Sequence, residues 1–165
     1  MTIHILLLAA TFFVAVVMAQ ALAHALEMPG KMRLGREQYY TVQTIYYPGF
    51  TWGGAAEPLA IIATAAILLV EPEQVDRFWL AAGALVALVI THALFWVVVQ
   101  PVNRQWLAST KLSGTADRFF HAGPGVAASD DWTRLRDRWE QGHLARAVTA
   151  TAAFVMLLVA TSFGP

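Results

Sequence analysis

The feature that most constrains this chain is a set of four long apolar stretches separated by polar segments. The first, residues 3–26, has no charged side chain, and the others lie at about residues 56–70, 78–102 and 143–163. A helix needs about 20 largely apolar residues to cross a bilayer. Charged residues make up only 13% of the 165 residues, whereas a soluble domain carries about 25%. We therefore expect one all-α integral membrane domain, residues 1–165, built as a four-transmembrane-helix bundle.

The second apolar stretch is unusual because it is short. Residues 59–70 are apolar apart from Thr64, yet they would form only about 18 Å of helix, whereas the hydrocarbon core is about 30 Å thick. The segment before it, residues 48–54, is rich in glycine and poor in helix formers. Two alternatives stay open: a kinked helix, or a broken entry whose irregular backbone lies beside protein or a polar cavity.

The basic residues favour one orientation in the membrane. In a four-span chain the first and third loops share a side, and they hold nine lysines and arginines, whereas the second loop holds only Arg77. Basic residues are enriched in cytoplasmic loops. We expect a multi-pass protein of the inner or plasma membrane, with both termini outside and the first and third loops in the cytoplasm.

Both long loops contain patterns typical of short amphipathic interfacial helices. Tyrosines recur seven residues apart within residues 36–47, and Gln43 lies three to four residues from each of them, a spacing that fits a helix lying at the interface. In the third loop an apolar stripe runs from Trp132 to Trp139. Because Asp131 suits a helix N-terminus, the last helix is predicted to begin near it. We interpret residues 108–130 as loop.

Ionisable side chains are rare inside membrane helices and are therefore candidates for function. His24 and Glu27 end the first span, and Glu140 and His143 open the fourth. Each pair is three residues apart and so shares a helix face. His92 lies inside the third span. These positions predict a His/Glu cluster in the cytoplasmic half of the bundle.

The Glu-x-x-His spacing is also typical of carboxylate-bridged metal sites in helix bundles. The residues that could hold iron, manganese or zinc are His24, Glu27, Glu140 and His143, with Glu57 as a further ligand. His92 lies nearer mid-membrane, about 10 Å from the level of the other two histidines, so one metal is not expected to bind all three. A haem ligated by two of the histidines is a further alternative.

The same residues have a structural interpretation. Glu27 could pair with a nearby arginine such as Arg146, and Glu140 with Arg136 four residues earlier. Histidines also hydrogen-bond across membrane helices as packing groups. His92 has no charged residue within one turn, so it either bonds to a neighbouring helix or lines a cavity, and both alternatives stay open.

The order of several motifs resembles a known family. The motifs are His24-Ala-Leu-Glu27-Met-Pro-Gly-Lys31, Leu34–Tyr47, Pro101-Val-Asn103, and Arg138-Trp139-Glu140-x-x-His143-x-x-Arg146. This order resembles the bacterial branch of a four-helix membrane family that includes the fungal anthrone oxygenases. The resemblance implies oxidation of an anthrone to an anthraquinone by molecular oxygen without a cofactor. The substrate itself is not carried over.

The implied reaction has clear chemical requirements. An anthrone has an acidic methylene beside a conjugated carbonyl, and its carbanion can reduce oxygen directly. The protein needs a general base, donors for the developing oxyanion and an apolar pocket, and histidine suits the first role. The predicted catalytic residues are His92, His143, His24, Glu27 and Glu140. In this prediction the carboxylates orient the imidazoles. The residues expected to bind substrate or oxyanion are Asn103, Arg104, Arg146 and Glu57.

We therefore predict a membrane-embedded oxygenase or oxidoreductase that acts on a lipophilic aromatic or quinone-like molecule. We expect it to need no cofactor, with a metal ion or haem as the alternatives. Its expected partners are the lipid bilayer and the small molecule, and balanced charge excludes a nucleic-acid binder. The alternative function is a non-catalytic accessory or assembly subunit, in a homo-oligomer or larger membrane complex, with the small-residue stretch 81–84 as a docking face.

Overall fold

The computed structural model describes residues 2–70, 74–106 and 131–163. Regular structure in these residues is entirely helical. Four helical segments in them are long and apolar enough to cross a membrane: Ile3–Lys31, Gly49–Val70, Val75–Trp106 and Trp132–Ser162. The predicted all-α bundle with four membrane helices is confirmed.

The helices are numbered here in chain order. They are α1 (Thr2–Lys31), α2 (Arg36–Gln43), α3 (Gly49–Gly53), α4 (Ala56–Val70), α5 (Val75–Leu94), α6 (Gln100–Trp106) and α7 (Trp132–Ser162). A 3-10 turn, Thr44–Tyr46, follows α2, and a π-helical turn, Phe95–Val99, joins α5 to α6. Helix α2 is the interfacial helix predicted for the first loop.

The start of α7 lies where the sequence predicted it. The Asp131 side chain accepts hydrogen bonds from the backbone N–H groups of Thr133 and Arg134, at 3.1 and 3.3 Å. A side-chain acceptor at this position satisfies donors that a helix start leaves free. The loop predicted for residues 108–130 lies outside the described residues.

The four long helices pack as a ring. Helix α1 lies against α4 and α7, and α5 lies against the same two helices. The centre of the ring is filled largely by small side chains with no exposed surface, among them Ala10, Ala60, Ala84, Ala150 and Ala153. Small residues allow membrane helices to approach closely, so the packing of this bundle depends on backbone proximity.

The small-residue stretch of α5 packs inside the chain. Ala81 and Ala84 have no exposed surface. A Cβ atom at Gly83 would lie 2.9 Å from the Sδ atom of Met156 on α7. Helix α7 therefore covers part of this stretch, and docking of another subunit stays a prediction.

A two-residue turn interrupts the second span. Helix α3 ends at Gly53, helix α4 begins at Ala56, and turn residues separate them. Gly54 in this turn keeps right-handed helical dihedral angles, with φ −58° and ψ −23°. A Cβ atom at Gly53 would lie 1.5 Å from the Nε2 atom of Gln20 on α1, so α3 and the Gln20 side chain are in close contact. Which of the two alternatives, a kinked helix or a broken entry, describes this span in a membrane stays a prediction.

The π-helical turn has a similar close contact with α7. A Cβ atom at Gly142 would lie 2.9 Å from the Cγ1 atom of Val98 and 3.0 Å from the Cγ2 atom of Val99. Both valines are β-branched and have little rotamer freedom to move aside. The turn can therefore lie this close to α7 only because Gly142 has no side chain.

Replacing this glycine by a large side chain should weaken the bundle. We expect Gly142→Leu to lower the free energy of unfolding by about 1–3 kcal/mol, the usual cost of overpacking, with a lower midpoint of thermal unfolding in detergent. The matched control is Gln141→Leu, at the exposed neighbouring position. Equal midpoints for the two variants would contradict the close contact.

Candidate functional site

One end of the bundle encloses a cavity of about 370 Å³. The end of α1, the start of α4, the end of α5 and the start of α7 meet there, and they contribute His24, Glu57, His92 and His143. The volume is within the range of small-molecule sites, about 300–1,000 Å³. Seven of the nineteen residues that line it are aromatic: Tyr46, Tyr47, Phe50, Phe95, Trp96, Trp106 and Trp139.

His24 and His143 form a pair of imidazoles in direct contact. Their ring centroids are 3.9 Å apart, and the residues are only 5% and 3% exposed. The Trp139 ring lies 4.1 Å from His143, and the rings of Tyr46 and Phe50 lie 4.5 and 4.8 Å from His24. Neither Nδ1 atom has a hydrogen-bond partner among the described residues. Such buried polar atoms call for a ligand or water.

A buried ion pair lies beside the imidazoles. The Arg146 guanidinium donates to Oε2 of Glu57 at 2.9 Å and packs over the Phe95 ring at 5.1 Å. The alternative pairing of Arg146 with Glu27 is wrong, because α4 places its own carboxylate in front of α7. The ion pair between Glu57 and Arg146 links α4, in the second span, to α7, the fourth.

His92 lies at the edge of the same cavity, and its side chain is 41% exposed. The Trp96 indole N–H donates to its Nε2 atom at 3.0 Å, and its Nδ1 atom lies 3.7 Å from Oε1 of Glu57. Of the two alternatives for His92, the cavity position is observed, and its hydrogen bond comes from Trp96, four residues later in the same helical segment, rather than from a neighbouring helix. The helices bring it to the cavity that the other two histidines line, although the sequence placed it at a different depth.

A second group of charges lies next to the cavity. Lys31 is only 4% exposed, and its Nζ atom lies 3.2 Å from Oε1 of Glu140 and 3.8 Å from Oε2 of Glu27. The ammonium group also sits 4.5 Å from the centroid of the Trp139 ring. The suggested pair between Glu140 and Arg136 is wrong, because Glu140 faces Lys31. A buried charge is stable only when it is paired in this way.

Two tyrosines from the first loop complete this group. Tyr39 donates to Oε1 of Glu140 at 2.7 Å, and Tyr46 donates to Oε2 of Glu27. Burial and the Glu140 carboxylate raise the pKa of Tyr39 far above its ordinary value. Burial and the hydrogen bond to Glu27 likewise raise the pKa of Tyr46. Both phenols therefore stay protonated and act as hydrogen-bond donors.

The structure brings together most of the predicted site residues. Those that line the cavity are His24, Glu57, His92, Asn103, His143 and Arg146. Asn103 is oriented there by Trp139, whose indole N–H donates to its Oδ1 atom at 2.8 Å. The predicted residues that do not line it are Glu27, Arg104 and Glu140. Glu27 and Glu140 instead bind Lys31, Tyr39 and the hydroxyl group of Tyr46, whose residue is part of the wall.

The donors proposed for a metal do not converge. In the described parts of the chain no three His, Asp or Glu side chains are placed to hold a metal ion. Glu27 and Glu140 are engaged by Lys31 and the two tyrosines. Direct contact between His24 and His143 also leaves no room for a haem between them. In this arrangement the four side chains do not form a metal site, and His24 and His143 do not hold a haem between them.

Sequence reasoning missed Lys31, Tyr39 and Tyr46 as parts of the site. Lys31 lies four residues after Glu27, a spacing that pairs charges on a helix, but its position after Pro-Gly indicated a loop. The tyrosines were interpreted only as interfacial side chains. The contact between Trp96 and His92 could have been predicted, because residues four apart lie on the same face of a helix.

Removal of the buried cation should be costly. We expect Lys31→Met to lower the free energy of unfolding by about 3–5 kcal/mol, because Glu140 then becomes a buried charge without a cation. Lys31→Met/Glu140→Gln should recover part of this loss, and the exposed Arg33→Met serves as the control. Thermal unfolding in detergent measures all three. A single variant as stable as the control would contradict the pairing.

Comparison with known proteins adds one finding. Residues 43–156 match the family model described as anthrone oxygenase. This segment contains Glu57, His92, His143 and Arg146, whereas His24 lies before it. No curated protein and no solved structure matches the chain.

Proposed function

The chain belongs to the anthrone oxygenase family, and we propose that its cavity oxidises the acidic methylene group of a lipophilic aromatic ketone or a quinone-like relative. The observation that carries this proposal is the buried His24–His143 pair on the wall of an aromatic cavity within a membrane bundle. Planar aromatic ligands stack well on such walls. An apolar substrate partitions into the bilayer and reaches the cavity from there.

The imidazole pair acts as the general base. A neutral imidazole has a lone pair that can accept a proton, and the Nδ1 atoms of His24 and His143 have no partner in the described residues. Two charged rings in contact would repel each other, so the pair takes up one proton far more readily than two. It can therefore remove one methylene proton and later return it.

Arg146 and Asn103 can stabilise the negative charge that develops on the substrate. Loss of the methylene proton moves negative charge to the ring carbonyl oxygen, which hydrogen-bond donors stabilise. Arg146 has a buried Nε–H without a partner among the described residues. The Oδ1 atom of Asn103 accepts a hydrogen bond from Trp139, so Asn103 can bind the substrate through its amide N–H groups. These two residues form the proposed oxyanion site.

The oxygen step then needs no further group from the protein. The carbanion gives one electron to O2, and the resulting carbon radical and superoxide combine to form a C–O bond. The imidazole returns its proton to the peroxide, which loses water and leaves a carbonyl. One O2 is consumed, and both methylene hydrogens leave in one water molecule.

The residues behind the wall have a positioning role in this proposal. Glu27 holds the hydroxyl of Tyr46, whose ring lies against His24. Lys31 contacts the Trp139 ring, which lies against His143. The two carboxylates predicted as catalytic thus act through the aromatic rings that fix the imidazoles.

Oxygen consumption tests this function. With anthrone as substrate, the purified wild-type protein should consume one O2 per anthrone, above the spontaneous rate. We expect His24→Phe and His143→Phe each to lower the rate by about 100-fold or more, the usual contribution of a general base. His4→Phe, an exposed histidine at the other end of α1, is the control. Wild-type activity in both site variants would rule out the imidazole base.

The orientation in the membrane is a separate proposal. The basic residues of the first and third loops support a cytoplasmic location for the cavity end of the bundle. Because the chain has no cysteine, single cysteines can report the topology. In intact cells an impermeant maleimide should label Gln74→Cys in the second loop, and label Glu37→Cys on α2 only after lysis. Both positions are exposed, and the reverse pattern would contradict the orientation.

A further inference from the structure

We propose that the gap between His92 and Glu57 is a binding site for a phenolic hydroxyl group. The Nδ1 atom of His92 and the Oε1 atom of Glu57 lie 3.7 Å apart, too far for a direct hydrogen bond. Both atoms are buried and have no hydrogen-bond partner among the described residues. Both residues line the cavity. The proposal rests on the aromatic substrate class proposed above and names a further group of that substrate.

The neighbours of His92 determine which nitrogen carries its proton. The Trp96 indole N–H can only donate, and it donates to Nε2 of His92 at 3.0 Å. Nε2 must therefore be the acceptor, and the proton of the neutral ring is on Nδ1. His92 thus presents an N–H donor toward Glu57. It does not present a free lone pair to the cavity, so it is a binding residue and not the base.

The neighbours of Glu57 fix the other half of the site. Its Oε2 atom accepts from Arg146 at 2.9 Å, which leaves Oε1 as the free acceptor. The side chain is only 7% exposed, so water does not satisfy this oxygen from bulk solvent. A donor and an acceptor, neither of them paired among the described residues, therefore lie side by side in the wall of the cavity.

A hydroxyl oxygen meets both requirements. An oxygen atom placed to the side of two groups 3.7 Å apart can be about 2.8 Å from each, the usual length for hydrogen bonds to oxygen. It would accept from Nδ1 of His92 and donate to Oε1 of Glu57. A carbonyl or an ether oxygen can only accept, and it would leave the carboxylate unpaired. The rings of Phe95 and Trp96 beside the gap favour a phenol over an aliphatic alcohol.

The site is tested with two probes whose oxygen atom carries either a proton or a methyl group. Binding of 2-naphthol and of 2-methoxynaphthalene to the full-length protein in nanodiscs is measured by calorimetry, with empty nanodiscs as the blank. We expect wild type to bind the naphthol about 10-fold or more tightly, because the ether leaves a buried carboxylate oxygen unsatisfied. His92→Phe and Glu57→Gln should each bring the preference close to unity, whereas His4→Phe should keep it.

His92→Phe keeps the Glu57–Arg146 pair, so it gives an answer even where Glu57→Gln fails to fold. Equal affinities of wild type for the two probes, binding of neither, or an unchanged preference in His92→Phe would overturn the site.

Oxygen uptake on the same preparation separates the two proposals. Anthrone oxidation without a naphthol preference removes the hydroxyl site alone. A naphthol preference without oxygen uptake removes the oxygenase function alone.

Discussion

Charges buried near one end of the bundle must be paired across helices, and the rest of the site depends on that constraint. Glu57 of α4 binds Arg146 of α7 at 2.9 Å, and Lys31 of α1 lies 3.2 Å from Glu140 of α7. An unpaired charge at such positions costs several kcal/mol. The two pairs therefore fix α1 and α4 against the start of α7. The cavity and its imidazole pair lie beside these links, so the charges position the residues proposed to do chemistry.

Much of the fold could be predicted because membrane helices are encoded locally. Apolar stretches give the four spans, and Asp131 alone marks the start of α7. The two-residue turn in the second span adjoins a glycine-rich segment, from which both a kink and a break could be expected. The contact between Gly53 and Gln20 joins distant parts of the chain, and no local pattern shows which glycine faces another helix.

The candidate site was only partly predictable for the same reason. The spacing of His24, Glu27, Glu140 and His143 correctly indicated shared helix faces, but it did not show which partners each would have. Lys31 supplies a cation to both carboxylates, and two tyrosines of the first loop donate to them. These contacts turn a group that resembled metal ligands into support for an aromatic wall. Partners contributed by a loop that folds back over the bundle leave no periodic signal in the sequence.

The central claim is that the His24–His143 pair removes a methylene proton before oxygen reacts. Hydrogen–deuterium exchange at the anthrone methylene in heavy water, without oxygen, measures that step by itself. The wild-type protein should accelerate the exchange over buffer and His4→Phe should match it, whereas His143→Phe should return it to the buffer rate. Oxygen uptake by a protein that leaves the anaerobic exchange rate unchanged would contradict the account.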